Sequence, residues 1–287
     1  MIESVKTFTV TAMVIAGALL TACTGVVQNI ERTVARINLR AAAPHPEAPH
    51  WSYEGAEGPA FWGKLSPSFL PCAEGHSQSP IDIATTSPAS LPTMSGRFRP
   101  AELKIVHHEH FADAINNGHT IQVNYTEGDT LTIGETSYEL LQYHFHAPSE
   151  HTVQGIQFPM EMHFVHKSAS GALAVVAVFI EQGRHNNAFD PVWAHLPTKK
   201  SVESHFEGVQ VNVDALLPKS NTSYRYEGSL TTPPCSEGVK WIVMTTPIQL
   251  STEQIGMFTA LIKGNNRPVQ PLNKRMTVTD RLVEEAR

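Results

Sequence analysis

The sequence contains the stretch Gln142-Tyr-His-Phe-His-Ala-Pro-Ser-Glu-His-Thr-Val153, followed by Glu161-Met-His-Phe-Val-His166. In the first stretch, His144 and His146 are separated by one residue. Side chains two positions apart along a strand point to the same face of a sheet, so these two histidines would lie side by side. One such pair is weak evidence by itself, because two exposed histidines on one face are a common alternative.

A third histidine, His163, lies in the second stretch, and Glu161 shares its face. If the two strands are neighbours, three imidazoles converge on one point. Three neutral imidazoles leave a tetrahedral Zn²⁺ with one open position, which is typical of a catalytic site and not of a structural one. Gln142 shares the face of His144, so Gln142 and Glu161 could each accept the unused ring N–H of a histidine ligand.

The rest of the chain after the N-terminal region has the pattern of strands and turns. Helix signals are few: Ser251 with Gln254 resembles a capping box ahead of Ile255–Ile262, and Asn187–His195 is a candidate short helix interrupted by a proline. We predict one predominantly β domain with short surface helices, of α+β class. The predicted strands are Leu103–Val106, Thr120–Tyr125, Tyr138–His146, Met160–His166, Leu173–Ile180 and Val239–Thr245.

Composition excludes some classes of function. The chain has 287 residues, a formal net charge of -6 and 15 histidines. This length suits one large domain with a substantial core. Because no basic stripe is present, we do not expect nucleic acid as a partner. Composition leaves the oligomeric state open.

The N-terminal region has the pattern of an export leader. An apolar run, Val10–Leu20, follows Lys6, is too short to cross a bilayer comfortably, and ends in Leu20-Thr-Ala-Cys23. This ending resembles a bacterial lipoprotein cleavage box, in which Cys23 becomes the lipidated N-terminus. The alternative is an ordinary secretory signal with Cys23 incidental.

We therefore divide the chain into a leader (1–23), a Pro-rich linker (24–48) and a folded domain (49–287). The leader predicts a location outside the cytoplasm, in the periplasm or cell envelope, and the cleavage box predicts a lipid anchor.

Several motifs, in order, resemble those of the alpha-class carbonic anhydrases. This resemblance implies a large, twisted, mainly antiparallel central sheet and the reversible hydration of carbon dioxide to bicarbonate and a proton. It also implies inhibition by sulfonamides. The matching segments are the two histidine stretches, Ser77-Gln-Ser-Pro-Ile-Asp-Ile83, Asn116-Asn-Gly-His119, Ser229-Leu-Thr-Thr-Pro-Pro-Cys235 and Asn265-Asn-Arg-Pro268.

The resemblance assigns roles to residues far apart in the sequence. His144, His146 and His163 would hold Zn²⁺, and hydroxide on the zinc would attack carbon dioxide. Thr231 would accept a hydrogen bond from that hydroxide while donating its own proton to Glu150. An ionised carboxylate only accepts, so Glu150 would fix the direction of the threonine hydroxyl.

Other residues would bind substrate or export the proton. His119 matches the proton shuttle, although an exposed turn histidine without a role is the alternative. Tyr53, Asn117 and Gln122 match positions that hold a water chain between shuttle and zinc. Thr232 would line the mouth of the substrate site. Its apolar wall would be formed by Val165, Val175, Leu230, Val239 and Trp241.

The resemblance also points to a disulfide between Cys72 and Cys235, since some secreted members bridge these two regions. Two free buried thiols are the alternative. The run His107-His-Glu-His110 is interpreted as surface, because consecutive strand residues alternate faces. Two rival functions are a zinc hydrolase acting on activated esters and a non-catalytic binding module of the same fold.

Overall fold

The computed structural model describes residues 49–89, 94–97, 101–106, 119–124, 129–197, 204–220 and 222–280. The predicted leader and linker, with Cys23, lie outside the described residues. So do Asn117 and the run 107–110. These expectations stay predictions. Within the described part of the chain, no helix is both long enough and apolar enough to span a membrane.

The described residues form strands joined by a few short helices. The strands are β1 (Asp82–Ile83), β2 (Ser87–Ala89), β3 (Met94–Arg97), β4 (Ala101–Val106), β5 (Gln122–Asn124), β6 (Thr130–Ile133), β7 (Thr136–His146), β8 (Thr152–Val153), β9 (Ile156–Gln157), β10 (Met160–Ser168), β11 (Leu173–Gln182), β12 (Ser204–Val211), β13 (Ser223–Ser229), β14 (Glu237–Met244), β15 (Ile248–Leu250) and β16 (Val278–Asp280). The α-helices are α1 (Trp62–Leu65), α2 (Pro71–Glu74), α3 (Asp190–Trp193) and α4 (Thr252–Leu261). Single turns of 3₁₀-helix cover Gly55–Glu57, Pro67–Phe69, Asn187–Phe189 and Val213–Leu216.

Most strands belong to one large mixed sheet. Its strand order is β12-β4-β5-β7-β10-β11-β14-β13-β16-β2, with β15 beside β11, and with β6 pairing both β3 and β7. The pairs β11–β14, β11–β15 and β16–β2 are parallel, and the other pairs in this sheet are antiparallel. The predicted fold class, mostly β around a large antiparallel-dominated sheet, is confirmed.

The helix signals gave one correct and one partly wrong prediction. Ser251 caps α4 and forms a capping box with Gln254, as the sequence indicated. The segment Asn187–His195 is a 3₁₀ turn followed by α3, and Pro191 lies in the first turn of α3. A proline there starts the helix and does not interrupt it, because the first-turn N–H groups have no partner inside the helix.

Strand β11 divides the core into two clusters. Val176, Val178 and Ile180 are buried in one cluster. The alternate residues Ala177 and Phe179 belong to the other, which also contains Trp241 on β14. Both faces of the central sheet are therefore covered, which fixes the register of the strands that carry the histidines.

Candidate active site

Strands β7 and β10 bring the three predicted histidines together. The strands are antiparallel neighbours, and His163 lies directly opposite His144 in their register. The ring centroids are 4.6 to 5.3 Å apart. One nitrogen from each of His144, His146 and His163 lies within 4.8 Å of the others. This convergence follows from the two-residue spacing on one strand and the pairing of two strands.

Two of the histidines use their other ring nitrogen for a side-chain hydrogen bond. His144 Nδ1 lies 2.8 Å from Oε1 of Gln142. His163 Nε2 lies 2.8 Å from Oε1 of Glu161. Because both oxygens only accept, each ring donates its N–H outward and presents its lone pair to the other histidines.

The third histidine is fixed by a partner that the sequence pattern did not predict. His146 Nδ1 lies 2.7 Å from the backbone oxygen of Asn265. The Asn265 side chain accepts a hydrogen bond from Ala147 N at 2.8 Å and donates one to Phe145 O at 2.8 Å. A backbone acceptor from a distant segment leaves no periodic pattern, and only the motif beginning at Asn265 indicated that this region mattered.

The electrostatics of the three histidines suit a metal. Burial, with the neighbouring rings, holds the pKa of His144 well below its ordinary value, and burial lowers the pKa of His163. Burial also lowers the pKa of His146 to about 4. The rings are therefore neutral at physiological pH, as metal ligands must be. The buried Nε2 atom of His146 has no hydrogen-bond partner in the described part of the chain. Three neutral imidazole nitrogens, one of them buried without a partner, are a set of donors that fits Zn²⁺.

Glu161 lies at the centre of a buried hydrogen-bond network. Its Oε1 is 2.7 Å from His151 Nδ1, and its Oε2 accepts from the backbone N–H groups of Glu150 and His151 at 2.8 Å each. Burial alone would raise the pKa of Glu161, but His151 and His163 hold that pKa well below its ordinary value. His151, Glu161 and His163 also bring one candidate ligand atom each within 4.8 Å of the others. Their separations are those of hydrogen bonds, so we assign them to the network and not to a second metal site.

Glu150 lies beside the ligands, as the resemblance implied. Its Oε2 is 3.5 Å from His146 Nε2 and 3.9 Å from His163 Nδ1. Burial raises the pKa of Glu150 to about 7, and His163, the Arg267 N–H and a hydrogen bond from the Thr231 side chain each lower that pKa in part. Thr231 and Glu150, although distant in sequence, are therefore close enough to interact.

Arg267 was not singled out by sequence analysis. Its backbone N–H donates to Oε1 of Glu150 at 2.8 Å. The buried guanidinium donates to Gln78 Oε1, Ser79 O and Cys72 O at 2.7 to 2.9 Å. Arg267 therefore ties the carboxylate beside the histidines to the segment around Ser77–Ile83.

A cavity of about 70 Å³ opens beside the histidines. This exceeds the volume share of one liquid water, about 30 Å³, so a small molecule fits. Thr231 and Thr232 line the cavity. The described apolar lining includes Val165, Val175, Leu230 and Trp241.

Val239 does not join this wall. It is buried in the core cluster with Val175 and Trp241, and it is not among the cavity-lining residues. The substrate contact that the resemblance implies for Val239 therefore stays a prediction.

The predicted shuttle residue also faces the cavity. His119, Tyr53 and Gln122 line it. His119 is only 9% exposed, and its ring centroid lies 3.9 Å from that of Trp51. This burial contradicts the alternative of an exposed turn histidine. Burial raises the pKa of Tyr53 well above its ordinary value, so the phenol stays protonated.

Cys72 and Cys235 form a disulfide in the structure, across a sequence separation of 163 residues. It lies in a buried cluster with Trp51, Trp62 and Phe69. Cys235 follows directly after the segment that carries Thr231, so the bridge fixes one end of that segment.

The fold and site together define a β-sheet domain in which three histidines capable of binding a metal lie beside an apolar cavity. The family model for eukaryotic-type carbonic anhydrase matches residues 57–281. The chain belongs to this alpha-class carbonic anhydrase family and is an enzyme with carbonic anhydrase activity. The family is zinc-dependent in general, and the histidine triad here is capable of binding a metal.

Individual relatives agree with this family. A carbonic anhydrase of Pectobacterium carotovorum is 43% identical over 238 residues, 83% of this chain and 93% of the relative. An alpha-carbonic anhydrase from Thermovibrio ammonificans, in complex with sulfanilamide, has a TM-score of 0.75 and 40% identity. That match covers 80% of this chain and 99% of that one. Dioscorin complexed with ascorbate has a TM-score of 0.72 and 27% identity, covering 82% of this chain and all of that one.

Proposed function

We propose that the chain hydrates carbon dioxide with Zn²⁺ held by His144, His146 and His163. The observation that carries this proposal is the outward hydrogen bonding of all three rings, which leaves three convergent lone pairs. When bound by three neutral ligands, Zn²⁺ supplies a Lewis acid that makes water acidic near neutral pH, a property for which carbonic anhydrases are the standard example.

Thr231 and Glu150 would orient the reacting water. In its ionised form the Glu150 carboxylate only accepts; it accepts a hydrogen bond from the Arg267 N–H at 2.8 Å and would accept one from the Thr231 hydroxyl. Since Thr231 has one hydroxyl hydrogen and gives it to Glu150, the hydroxyl can only accept from the reacting water. This arrangement aims a lone pair of that water away from Thr231 and toward the substrate.

The apolar wall would hold the substrate. Carbon dioxide has no net charge or dipole. It can therefore bind by apolar contact with Val165, Val175 and Leu230 and needs no polar partner. Trp241 donates its indole N–H to Ser229 O at 3.0 Å, which fixes the ring against this wall. Thr232 at the mouth offers a polar group for bicarbonate on its way out.

His119 would export the proton released in each turnover. Imidazole titrates near neutral pH, which suits a group that takes up and releases protons in turn. His119, Tyr53 and Gln122 share the cavity with the zinc-binding histidines, so a chain of waters between them is supported by their placement. Asn117, the remaining predicted member, lies outside the described residues.

A stopped-flow assay of carbon dioxide hydration tests the proposal. We expect His146→Ala to lose metal and activity together. The matched control is His185→Ala, because His185 is half exposed, pairs with Asp190 at 2.8 Å and does not line the cavity. Primary sulfonamides should inhibit the wild type, by analogy with the sulfanilamide complex. Retained hydration in metal-free His146→Ala would overturn the proposed zinc site.

We also propose that the domain acts outside the cytoplasm on a lipid anchor at Cys23. The leader ending Leu20-Thr-Ala-Cys23 supports this, and disulfides such as Cys72–Cys235 persist in oxidising compartments. The wild type should fractionate with membranes, whereas Cys23→Ala should be released or remain unprocessed. Recovery of the wild type as a soluble protein with an unmodified N-terminus would contradict the anchor.

A further inference from the structure

Thr120 makes an unusual attachment to the strand that carries two of the zinc-binding histidines. The ladder between β5 and β7 ends at the pair Gln122–His144. Beyond this point, the Thr120 hydroxyl donates to Phe145 O at 2.5 Å and accepts from Phe145 N at 3.2 Å. One side chain thus replaces the backbone of a strand neighbour, which is why β5 begins later than the predicted Thr120–Tyr125.

Phe145 is a rigid point of attachment. It lies between His144 and His146 but faces away from them, fully buried, with its ring 5.1 Å from Trp193 and 5.8 Å from Phe258. Asn265 also donates to its carbonyl oxygen at 2.8 Å. A group bonded to both the N–H and the C=O of Phe145 is therefore held at a fixed distance from the zinc-binding nitrogens.

The residue directly before Thr120 is His119. Both line the cavity, and His119 packs against Trp51. The single hydroxyl hydrogen of Thr120 is donated to Phe145 O, so a proton relay through this hydroxyl would require that bond to break. Thr120 is therefore placed to support its neighbour His119 and not to act in a proton relay.

We propose that Thr120 is a positioning residue that holds His119 in register with the zinc site by bonding both backbone groups of Phe145. The inference rests on the proposed role of His119 as proton shuttle and goes beyond it. Threonine suits the task for two reasons. Its β-branched side chain has few χ1 choices, and its hydroxyl can donate and accept at once.

The variant pair Thr120→Val and Thr120→Ser separates these two features. Valine keeps the shape and removes both hydrogen bonds, whereas serine keeps the hydroxyl and removes the methyl group. The matched control is Thr277→Val, which removes a hydrogen bond of 2.8 Å from a buried threonine to Thr85 O, outside the cavity.

The measurement is carbon dioxide hydration in weak buffer, with zinc content and kcat/KM from the same preparations. We expect Thr120→Val to lower kcat by about tenfold, part of the 100-fold or more that a placed proton-transfer group contributes. Zinc content and kcat/KM should stay unchanged. Imidazole buffer should restore kcat. Thr120→Ser keeps both hydrogen bonds and should lose much less kcat than Thr120→Val, and Thr277→Val should behave like the wild type.

A double-mutant cycle with His119→Ala distinguishes positioning from a merely structural effect. If Thr120 acts through His119, Thr120→Val has no further effect on kcat once His119 is alanine. An unchanged kcat for Thr120→Val, a parallel fall of kcat/KM and zinc content, or full additivity in the cycle would each overturn the inference. A normal kcat for His119→Ala would instead refute the proposed shuttle.

Discussion

Oε1 of Glu161 lies 2.8 Å from Nε2 of His163, on the side of the ring that faces away from His144 and His146. The two oxygens of this carboxylate also accept hydrogen bonds from the His151 ring and from two backbone N–H groups. Glu161 is therefore an acceptor at every contact. This makes it sensitive to any change that adds a donor.

Glu161→Gln should weaken zinc binding by about 10- to 100-fold, the usual effect of altering a group that orients a metal ligand. The amide must turn its NH₂ either toward the histidines or toward the backbone N–H groups, and in both cases donor meets donor. Competition with a chromophoric chelator measures the affinity. Glu139→Gln, on the exposed face of β7, is the matched control and should be neutral. Equal affinities for the Glu161 variant and the wild type would contradict this role.

Thr231→Ala should keep its zinc but lose roughly 10- to 1000-fold in kcat/KM, because the reacting water loses a placed hydrogen-bond partner. Thr231→Ser retains the hydroxyl that reaches Glu150 and should recover most of the rate. Metal analysis beside hydration kinetics separates the two effects. A Thr231→Ala enzyme with wild-type kcat/KM would exclude the orienting role.

His166 should make stability depend on pH. It is fully buried, with Nδ1 3.0 Å from Phe164 O, and burial lowers its pKa from 6.5 to about 4. The unfolded chain then binds a proton below pH 6.5 that the folded chain does not. The stability due to His166 is therefore complete above pH 6.5 and is lost as pH falls toward 4. Between pH 7 and pH 5 the loss is about 2 kcal/mol.

Urea unfolding of wild type and His166→Gln at both pH values isolates this contribution, since the zinc-binding histidines titrate equally in both proteins. The free-energy gap between the two proteins should shrink by about 2 kcal/mol at pH 5. Thr277→Val, a buried substitution that changes no titratable group, should show a constant gap. A gap that does not change with pH for His166→Gln would refute the prediction.

Replacing both Cys72 and Cys235 with alanine should lower the free energy of unfolding by roughly 2–5 kcal/mol, since the unfolded chain regains the freedom of a long loop. The double variant avoids leaving a free buried thiol. Peptide mapping without reductant should recover the linked pair from the wild type. Two alkylatable thiols at these positions in the native protein would show that the bridge is absent.

Much of the fold and site was predictable because their determinants are local. The alternation of residues along β7 and β10 predicts strands, and the spacing of His144 and His146 predicts their shared face. The capping box at Ser251 is likewise a short-range pattern. Each of these follows from backbone geometry within a few residues.

Other features depend on contacts that leave no local pattern. The Asn265 carbonyl reaches His146 only through the tertiary fold, and the same is true of the Arg267 N–H at Glu150. Strand β5 begins later than predicted because the Thr120 side chain, and not its backbone, bonds to Phe145.

Titrating the metal-free protein with Zn²⁺ while following carbon dioxide hydration tests the zinc-site assignment most directly. We predict that chelation abolishes activity, and that activity returns linearly and reaches a plateau at one zinc per chain. His144→Ala should show no such return. A protein that binds one zinc per chain yet hydrates carbon dioxide no faster than its metal-free form would contradict the assignment.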